Sequence, residues 1–294
     1  MVSEEAPHVT VVVPHFNQPE ALRLCLQSLA RQSLRAPFDV IVADNASDDQ
    51  LALRAALEAF SPARLVLEPR RGAAHARNAA MAASRAGHFA FIDADCVADA
   101  DWLKAGLAGL RKFDLIGGHV RVTVADANNP SPTEAFELVF AFRQRAYVRR
   151  KRFAVTANLF ARREAAMAIG PFAHGVAEDV DWCRRARALG FRLAFNARSI
   201  IGHPARRTWI ELARKWDRLV AERWNGYGAR GLAGRTLWAG LAAATALSAA
   251  PHLITVLTTR RLKRLRDRAA AAGVLVRIRW RRARRMIAAM RQSA

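Results

Sequence analysis

Through its first two hundred residues the chain alternates short apolar runs with longer stretches in which Leu and Ala recur at helical spacing. The run 8–13 (His-Val-Thr-Val-Val-Val) predicts a buried strand, stopped by Pro14-His15-Phe16-Asn17. From Pro19 to about Arg35, Leu22, Leu26 and Leu29 fall on one helical face, and 38–43 predicts a second strand that ends in Asp44-Asn45-Ala46-Ser47-Asp48-Asp49. A helix over 51–60, a strand over 64–67, a loop at 70–72 and a helix over 73–86 lead to the apolar run 88–92. That run delivers Asp93-Ala94-Asp95 into a turn.

Strict alternation of strand and helix predicts an α/β fold whose sheet is mostly parallel and covered by helices on both faces. Ligands of such sheets bind beyond the carboxyl ends of the strands, where this chain places Asn17, Asp44, Arg71 and Asp93. A Rossmann dinucleotide site needs a Gly-rich turn after the first strand, and Pro14-His15-Phe16-Asn17 has no glycine. Two carboxylates in one turn suit a hard divalent cation such as Mg²⁺ or Mn²⁺, although Asp is also an ordinary turn former.

Taken in order, the motifs resemble the family 2 glycosyltransferases, which have a GT-A fold. The matching residues are Val11-Val12-Val13-Pro14-His15-Phe16-Asn17, Asp44-Asn45-Ala46-Ser47-Asp48, Arg71-Gly72 with Ala76-Arg77-Asn78, Asp93-Ala94-Asp95, Thr156-Ala157-Asn158-Leu159-Phe160, and the stretch opening at Glu178-Asp179. The resemblance spans roughly residues 8–205 and departs from the family at Thr156 and Ala177, where glycine is common.

It implies an inverting transfer of sugar from a nucleoside diphosphate, UDP favoured, to a hydroxyl of a glycan or lipid-linked acceptor in cell-envelope or exopolysaccharide synthesis. Pro14, Phe16 and Asn17 would surround the base, and Asp44 would accept from its ring N–H unless it merely caps its loop. Arg71 and Arg77 would face the pyrophosphate, with Asn158 among the nucleotide-sugar-binding residues. Asp95 would hold Mn²⁺ or Mg²⁺, with Asp93 assisting or contacting the ribose and His203 as a further ligand, so that charge on the leaving diphosphate is stabilised. Asp179 would be the base that takes the acceptor proton, with Glu178 beside it to contact the acceptor or position the loop. The stretch from Val180 predicts a helix ended by Gly190, and acids in its first turn also complement the helix dipole. His75 is expected at the surface or in packing.

Composition changes the picture beyond residue 205. From Ala205 onward there are 21 Lys and Arg against 4 Asp and Glu, so 17 of the chain's +22 formal charges lie in its last 90 residues. A division follows: a catalytic domain over 1–205 and a basic helical region over 206–294 that associates with an anionic membrane surface. Within it, 236–259 carries no charged residue, about 36 Å of helix. A single crossing would leave the basic run 260–266 on the far side, against the positive-inside rule, so an interfacial or re-entrant arrangement at the cytoplasmic membrane face is favoured over a span or a soluble packed helix. Three scattered cysteines and an acidic stretch at 1–7 without an apolar run predict a cytosolic catalytic part with no disulfide framework and no leader.

Two other functions fit part of the chain. A nucleotidyltransferase shares the sheet topology but needs a Gly-rich, basic first loop. A nucleic-acid-binding protein would explain the basic tail with Trp209, Trp216, Trp224 and Trp280, yet no nucleic-acid motif is present and the acidic motifs would have no use. No specific nucleic-acid partner is expected.

Overall fold

The computed structural model describes residues 8–60, 63–228 and 231–292; the expectation about a leader at 1–7 lies outside them. The order is β1 (Val9–His15), α1 (Pro19–Ala30), β2 (Phe38–Asp44), α2 (Gln50–Leu57), β3 (Ala63–Leu67), α3 (Ala73–Ala83), β4 (His88–Ile92), β5 (Val97–Ala98), α4 (Trp102–Leu110) and β6 (Leu115–Thr123). Then come α5 (Pro132–Phe140), α6 (Gln144–Ala146) running into a π turn over Tyr147–Lys151, β7 (Asn158–Arg162), α7 (Arg163–Ile169), α8 (Glu178–Ala188) and β8 (Leu193–Pro204). Four helices close the described chain: α9 (Trp209–Gly228), α10 (Gly231–Leu247), α11 (Ala249–Thr258) and α12 (Leu265–Gln292).

The strands form one sheet in the order β3-β2-β1-β4-β7-β6-β8-β5. β1 pairs in parallel with β2 and β4, and β2 with β3, as the strand–helix alternation predicts. Beyond Ile92 helices still separate β5, β6, β7 and β8, but the pairing direction changes: β7 joins both β4 and β6 antiparallel, as β5 does β8. The sheet is therefore parallel in its first half and antiparallel in its second.

Side chains of β1 alternate between two cores, as a period of two requires. Val9, Val11 and Val13 join Leu22, Cys25, Leu26 and Leu29 of α1, while Val12 joins Ile41, Phe91 and Ala76 and Ala80 of α3 on the other face. Burying a Val or Leu side chain contributes about 1.5–3 kcal/mol, so this strand is fixed in register by what it buries. The polar loops at its carboxyl end, and at those of β2 and β4, are carried on that rigid base.

The chain falls into two compact units: residues 1–121, 142–174 and 178–203, and residues 122–141, 175–177 and 204–294. The second therefore includes α5 as well as the basic region that opens near 205. Ser131 and Glu134 form a capping box at the start of α5, which packs its Phe136 and Val139 against Leu275 and Ile278 of α12. Glu137, 1% exposed, accepts from Lys215 at 3.1 Å and from Arg206 at 3.2 Å. Burial opposes its charge, and the two cations overcome that and lower its pKa. The uncharged stretch 236–259 is not one regular helix: α10 and α11 meet at Ser248, whose hydroxyl donates to the Thr245 carbonyl.

Candidate active site

At the carboxyl end of β1, His15 is buried and its Nδ1 lies 3.0 Å from Asp44 Oδ1. The Asp44 carboxylate also accepts from Ser47 Oγ at 2.5 Å, Ser47 N at 3.0 Å and Gln50 Nε2 at 3.1 Å. Burial works against its charge, but these bonds outweigh it and hold the group below the usual carboxylate range. With 1% exposure and both oxygens engaged, Asp44 caps its own loop. In this structure it takes the loop-capping role that the sequence leaves open beside the reading of the base edge.

Asn17, in the left-handed region at φ 50, closes the same loop: its Oδ1 accepts from Asp48 N at 2.8 Å and its Nδ2 donates to Asp48 Oδ2 at 2.6 Å. Phe16 remains 44% exposed, with the Arg71 guanidinium 4.2 Å from its ring centroid. Phe16 and Arg71 thus share one surface, and Pro14 stands half-buried two residues before Phe16.

Asn45, which the sequence reading passed over, organises the Arg loop. Its Nδ2 donates to the carbonyls of Glu68 (3.0 Å) and Arg70 (2.6 Å), and its Oδ1 accepts from Gly72 N at 2.6 Å. Gly72 sits at φ +129, which favours glycine, and a Cβ there would also lie 2.4 Å from His174 Nδ1 and push that side chain aside. His75 stacks on His174 with centroids 4.8 Å apart, in keeping with a packing role. Asn78 exchanges two hydrogen bonds with the backbone of Phe172, at 2.8 and 2.9 Å.

Arg77 is 4% exposed and lies between two acids: Nη2 donates to Asp93 Oδ1 at 2.7 Å and Nη1 to Glu178 Oε1. Burial alone would lower its pKa; Glu178 and Asp93 together raise it. In place of the expected pyrophosphate contact, its two terminal nitrogens tie the β4 turn to the start of α8 in this structure, while its Nε–H is buried without an acceptor. Glu178 and Asp179 do lie in the first turn of α8. Asp179 Oδ1 accepts from the backbone N–H of its neighbour, Val180, at 2.8 Å. Burial pushes its carboxyl up to about 6, helped by the charge of Glu178.

Around Asp95 lies a cluster that could hold a cation. His203 Nε2, from β8, lies 3.7 Å from Asp95 Oδ1, and together with the Cys96 thiol the ligand atoms lie within 4.8 Å of one another. Carboxylate plus imidazole is a donor set that Mn²⁺ accepts. Asp93 stands outside this cluster, held by Arg77. Cys96 and Cys25 have thiol pKa values raised by burial first and then by Asp93 and Asp95, and all three cysteines are free.

Asn158, expected among the nucleotide-sugar-binding residues, has a bracing role here. Fully buried, it accepts from Trp102 Nε1 at 2.9 Å and donates to the carbonyls of His119 (2.9 Å) and Ser199 (3.1 Å), so in this structure it braces the antiparallel half of the sheet and presents no surface to a sugar.

Comparison with known proteins gives a consistent result. The family model "Glycosyl transferase family 2" matches residues 10–170. Glycosyltransferase AglE of Haloferax volcanii is 30% identical over 224 residues, 72% of each chain. An uncharacterized glycosyltransferase of Mycobacterium tuberculosis is 32% identical over 186 residues, 63% of this chain and 81% of that one. Among solved structures, the mannosyltransferase PcManGT of Pyrobaculum calidifontis, in complex with GDP-Man and Mn²⁺, superposes with a TM-score of 0.62 at 19% identity, covering 99% of this chain and 88% of that one.

Proposed function

The chain belongs to glycosyl transferase family 2, and on that premise we propose that it is an inverting, divalent-metal-assisted transferase that moves a sugar from a nucleoside diphosphate to a hydroxyl of a glycan or lipid-linked acceptor. The observation that carries the chemistry is the placement of Asp95 beside His203, with Arg77 linking Asp93 to Glu178 and so to the neighbour of Asp179. Structures of this fold solved with GDP-Man, UDP-GlcNAc or UDP with Mn²⁺ are in keeping with a nucleotide-sugar donor.

Asp95 and His203 would hold Mn²⁺ or Mg²⁺, which when bound supplies positive charge beside the departing diphosphate. Phe16, with Arg71 against it, offers a face for the base and a cation for phosphate, and Pro14 shapes the same wall. Asp179 receives the acceptor proton: a pKa about 6 keeps it ionised near neutrality yet basic enough to draw the proton as the new bond forms. Arg77 keeps Glu178 and Asp93 in place and so positions the two motifs. Displacement aided by one base on the face opposite the leaving group inverts the anomeric carbon. Asp44 caps its own loop here and, if it also accepts from a base N–H, favours a UDP-sugar donor, which the nucleotide screen below decides.

The basic region supports attachment at the cytoplasmic membrane face. Residues Gly231–Thr258 form a helical stretch apolar and long enough to cross a membrane, with 17% of its most apolar window buried. Leu232, Leu237, Leu247, Ile254 and Leu257 are all more than half exposed or close to it, as a lipid-facing surface requires.

The test is a thermal-shift and calorimetric screen of the purified protein against UDP, GDP, TDP and CDP, each with and without Mn²⁺. Metal-dependent stabilisation by one nucleotide, lost in Asp95→Ala, supports the proposal and identifies the base. Absence of any response would refute it.

A further inference from the structure

The long helix α12 carries nine arginines and one acid, Asp267. Several of those arginines have evident partners. Arg281 and Arg285 both reach Asp217 of α9, at 2.7 and 3.0 Å. Arg268 donates to backbone carbonyls of Leu257, Thr259 and Leu262. Arg277 lies over the ring of Trp209, 3.9 Å from its centroid.

Arg279 and Arg282 differ. Both are half-buried, the Nε–H of each is shielded from solvent without a hydrogen-bond acceptor, and neither forms an ion pair among the described residues. Arg282 stacks on Trp216 of α9, 3.9 Å from the ring centroid, and the indole N–H of Trp216 is likewise buried without an acceptor. Among the described residues only four buried side-chain polar atoms have no partner, and three of them are these donors. Arg279 and Arg282 stand one helical turn apart and so share a face of α12.

A buried donor left without an acceptor costs about 1–3 kcal/mol, and more when charged. Unmatched like charges add to that cost. Burial pushes the Arg282 guanidinium down to about 9, and the nearby charges of Arg279 and Arg223 push it the same way. Burial lowers Arg279 too. Three buried donors and two neighbouring positive charges on α9 and α12 lack an anion with several acceptor oxygens. Guanidinium matches phosphate in both charge and geometry.

We propose that Arg279, Arg282 and Trp216 form a phosphate-binding site that takes a phosphomonoester or diphosphate group. Its place in the basic region, on elements separate from the Asp95 and Asp179 motifs, makes it a second anion site that does not depend on the transferase reading. The phosphate can come from a lipid headgroup or from a soluble compound, and the two are told apart below.

The experiment uses the full chain. Its thermal stability is followed as inorganic phosphate replaces chloride at constant ionic strength, and its flotation is followed with phosphatidylcholine vesicles containing either phosphatidic acid or phosphatidylglycerol at equal surface charge. The variants are Arg279→Gln with Arg282→Gln, Trp216→Phe, which keeps the stack and deletes the N–H, and a control, Arg284→Gln with Arg291→Gln, which removes two exposed charges.

Phosphate should stabilise the wild type and the control, and the effect should vanish in the Arg279/Arg282 pair, which should be as stable as wild type or more so in chloride. Trp216→Phe should weaken phosphate by about threefold to tenfold, the loss of one hydrogen bond. Preference for phosphatidic acid, lost in the same pair, assigns a lipid headgroup; a phosphate response with no such preference assigns a soluble ligand. Equal losses in the control pair, or an undiminished phosphate response in the Arg279/Arg282 pair, would overturn the site and leave only a diffuse basic surface.

Discussion

Arg77 Nη2 donates to Asp93 Oδ1 across 2.7 Å, with only 4% of the arginine exposed, and the same guanidinium reaches Glu178 a hundred residues further on. One buried cation therefore holds both acidic motifs. Replacing it by Met should leave two acids facing each other without compensation, lowering stability by about 3–5 kcal/mol. Arg77→Lys, with a single point charge, should restore stability only in part and should not restore transfer. Calorimetry beside a sugar-transfer assay separates the two effects.

Asp179 titrates near 6 because burial disfavours its charge. A raised acid pKa means that the folded chain holds a proton that the unfolded chain has released between about pH 4 and 6. Stability should therefore fall as pH rises through that window, by up to about 3 kcal/mol, and then level off. Transfer should show the opposite trend, with an acid limb centred near pH 6 as the base ionises. Asp179→Asn should abolish both pH dependences, cut transfer by about 10²–10⁴-fold and leave donor binding intact. Retention of near-wild-type turnover would remove Asp179 from the role of base.

His203 and Asp95 reach the same point from β8 and from the turn after β4. His203→Ala should weaken Mn²⁺ binding by about 10–100-fold, and Asp95→Ala should weaken it further. Electron paramagnetic resonance of free Mn²⁺ reads this without any assay of turnover. Asp93→Asn, in contrast, should alter metal affinity less and stability more, since Asp93 is Arg77's partner.

Asn45 makes three hydrogen bonds to the loop that carries Arg71. Asn45→Ala should cost about 1–3 kcal/mol and raise the donor KM while kcat changes little, because the lost order lies in binding. Asn45→Asp replaces the two donated bonds by repulsion from the Glu68 and Arg70 carbonyls and should be worse. Urea denaturation and donor titration provide the two readouts.

Strand positions were legible because valine and phenylalanine runs such as 9–13 and 88–92 must be buried wherever they lie, and each ends in a polar loop that can only sit at the sheet's rim. The order of motifs pointed to the family for the same reason: local pattern and chain order are properties of the sequence alone. Asp93 and Asp95 stand out as two carboxylates after a strand, whereas Asp179 was singled out by the family resemblance, since acids at a helix start also serve its dipole.

What a polar side chain does with its atoms was decided elsewhere. Asp44 and Asn158 look like ligands in sequence, yet His15 and Ser47 occupy one, and Trp102, His119 and Ser199 the other. Arg77 resembles a phosphate-binding arginine until Asp93 and Glu178 close on it. Likewise, nothing in the arginines of α12 marks Arg279 and Arg282 apart from Arg281 and Arg285; only the approach of α9 brings Asp217 to one pair and Trp216 to Arg282. Hydrogen bonds and ion pairs are short-ranged, so a residue's availability depends on partners distant in the chain, and only the tertiary structure brings those partners within reach.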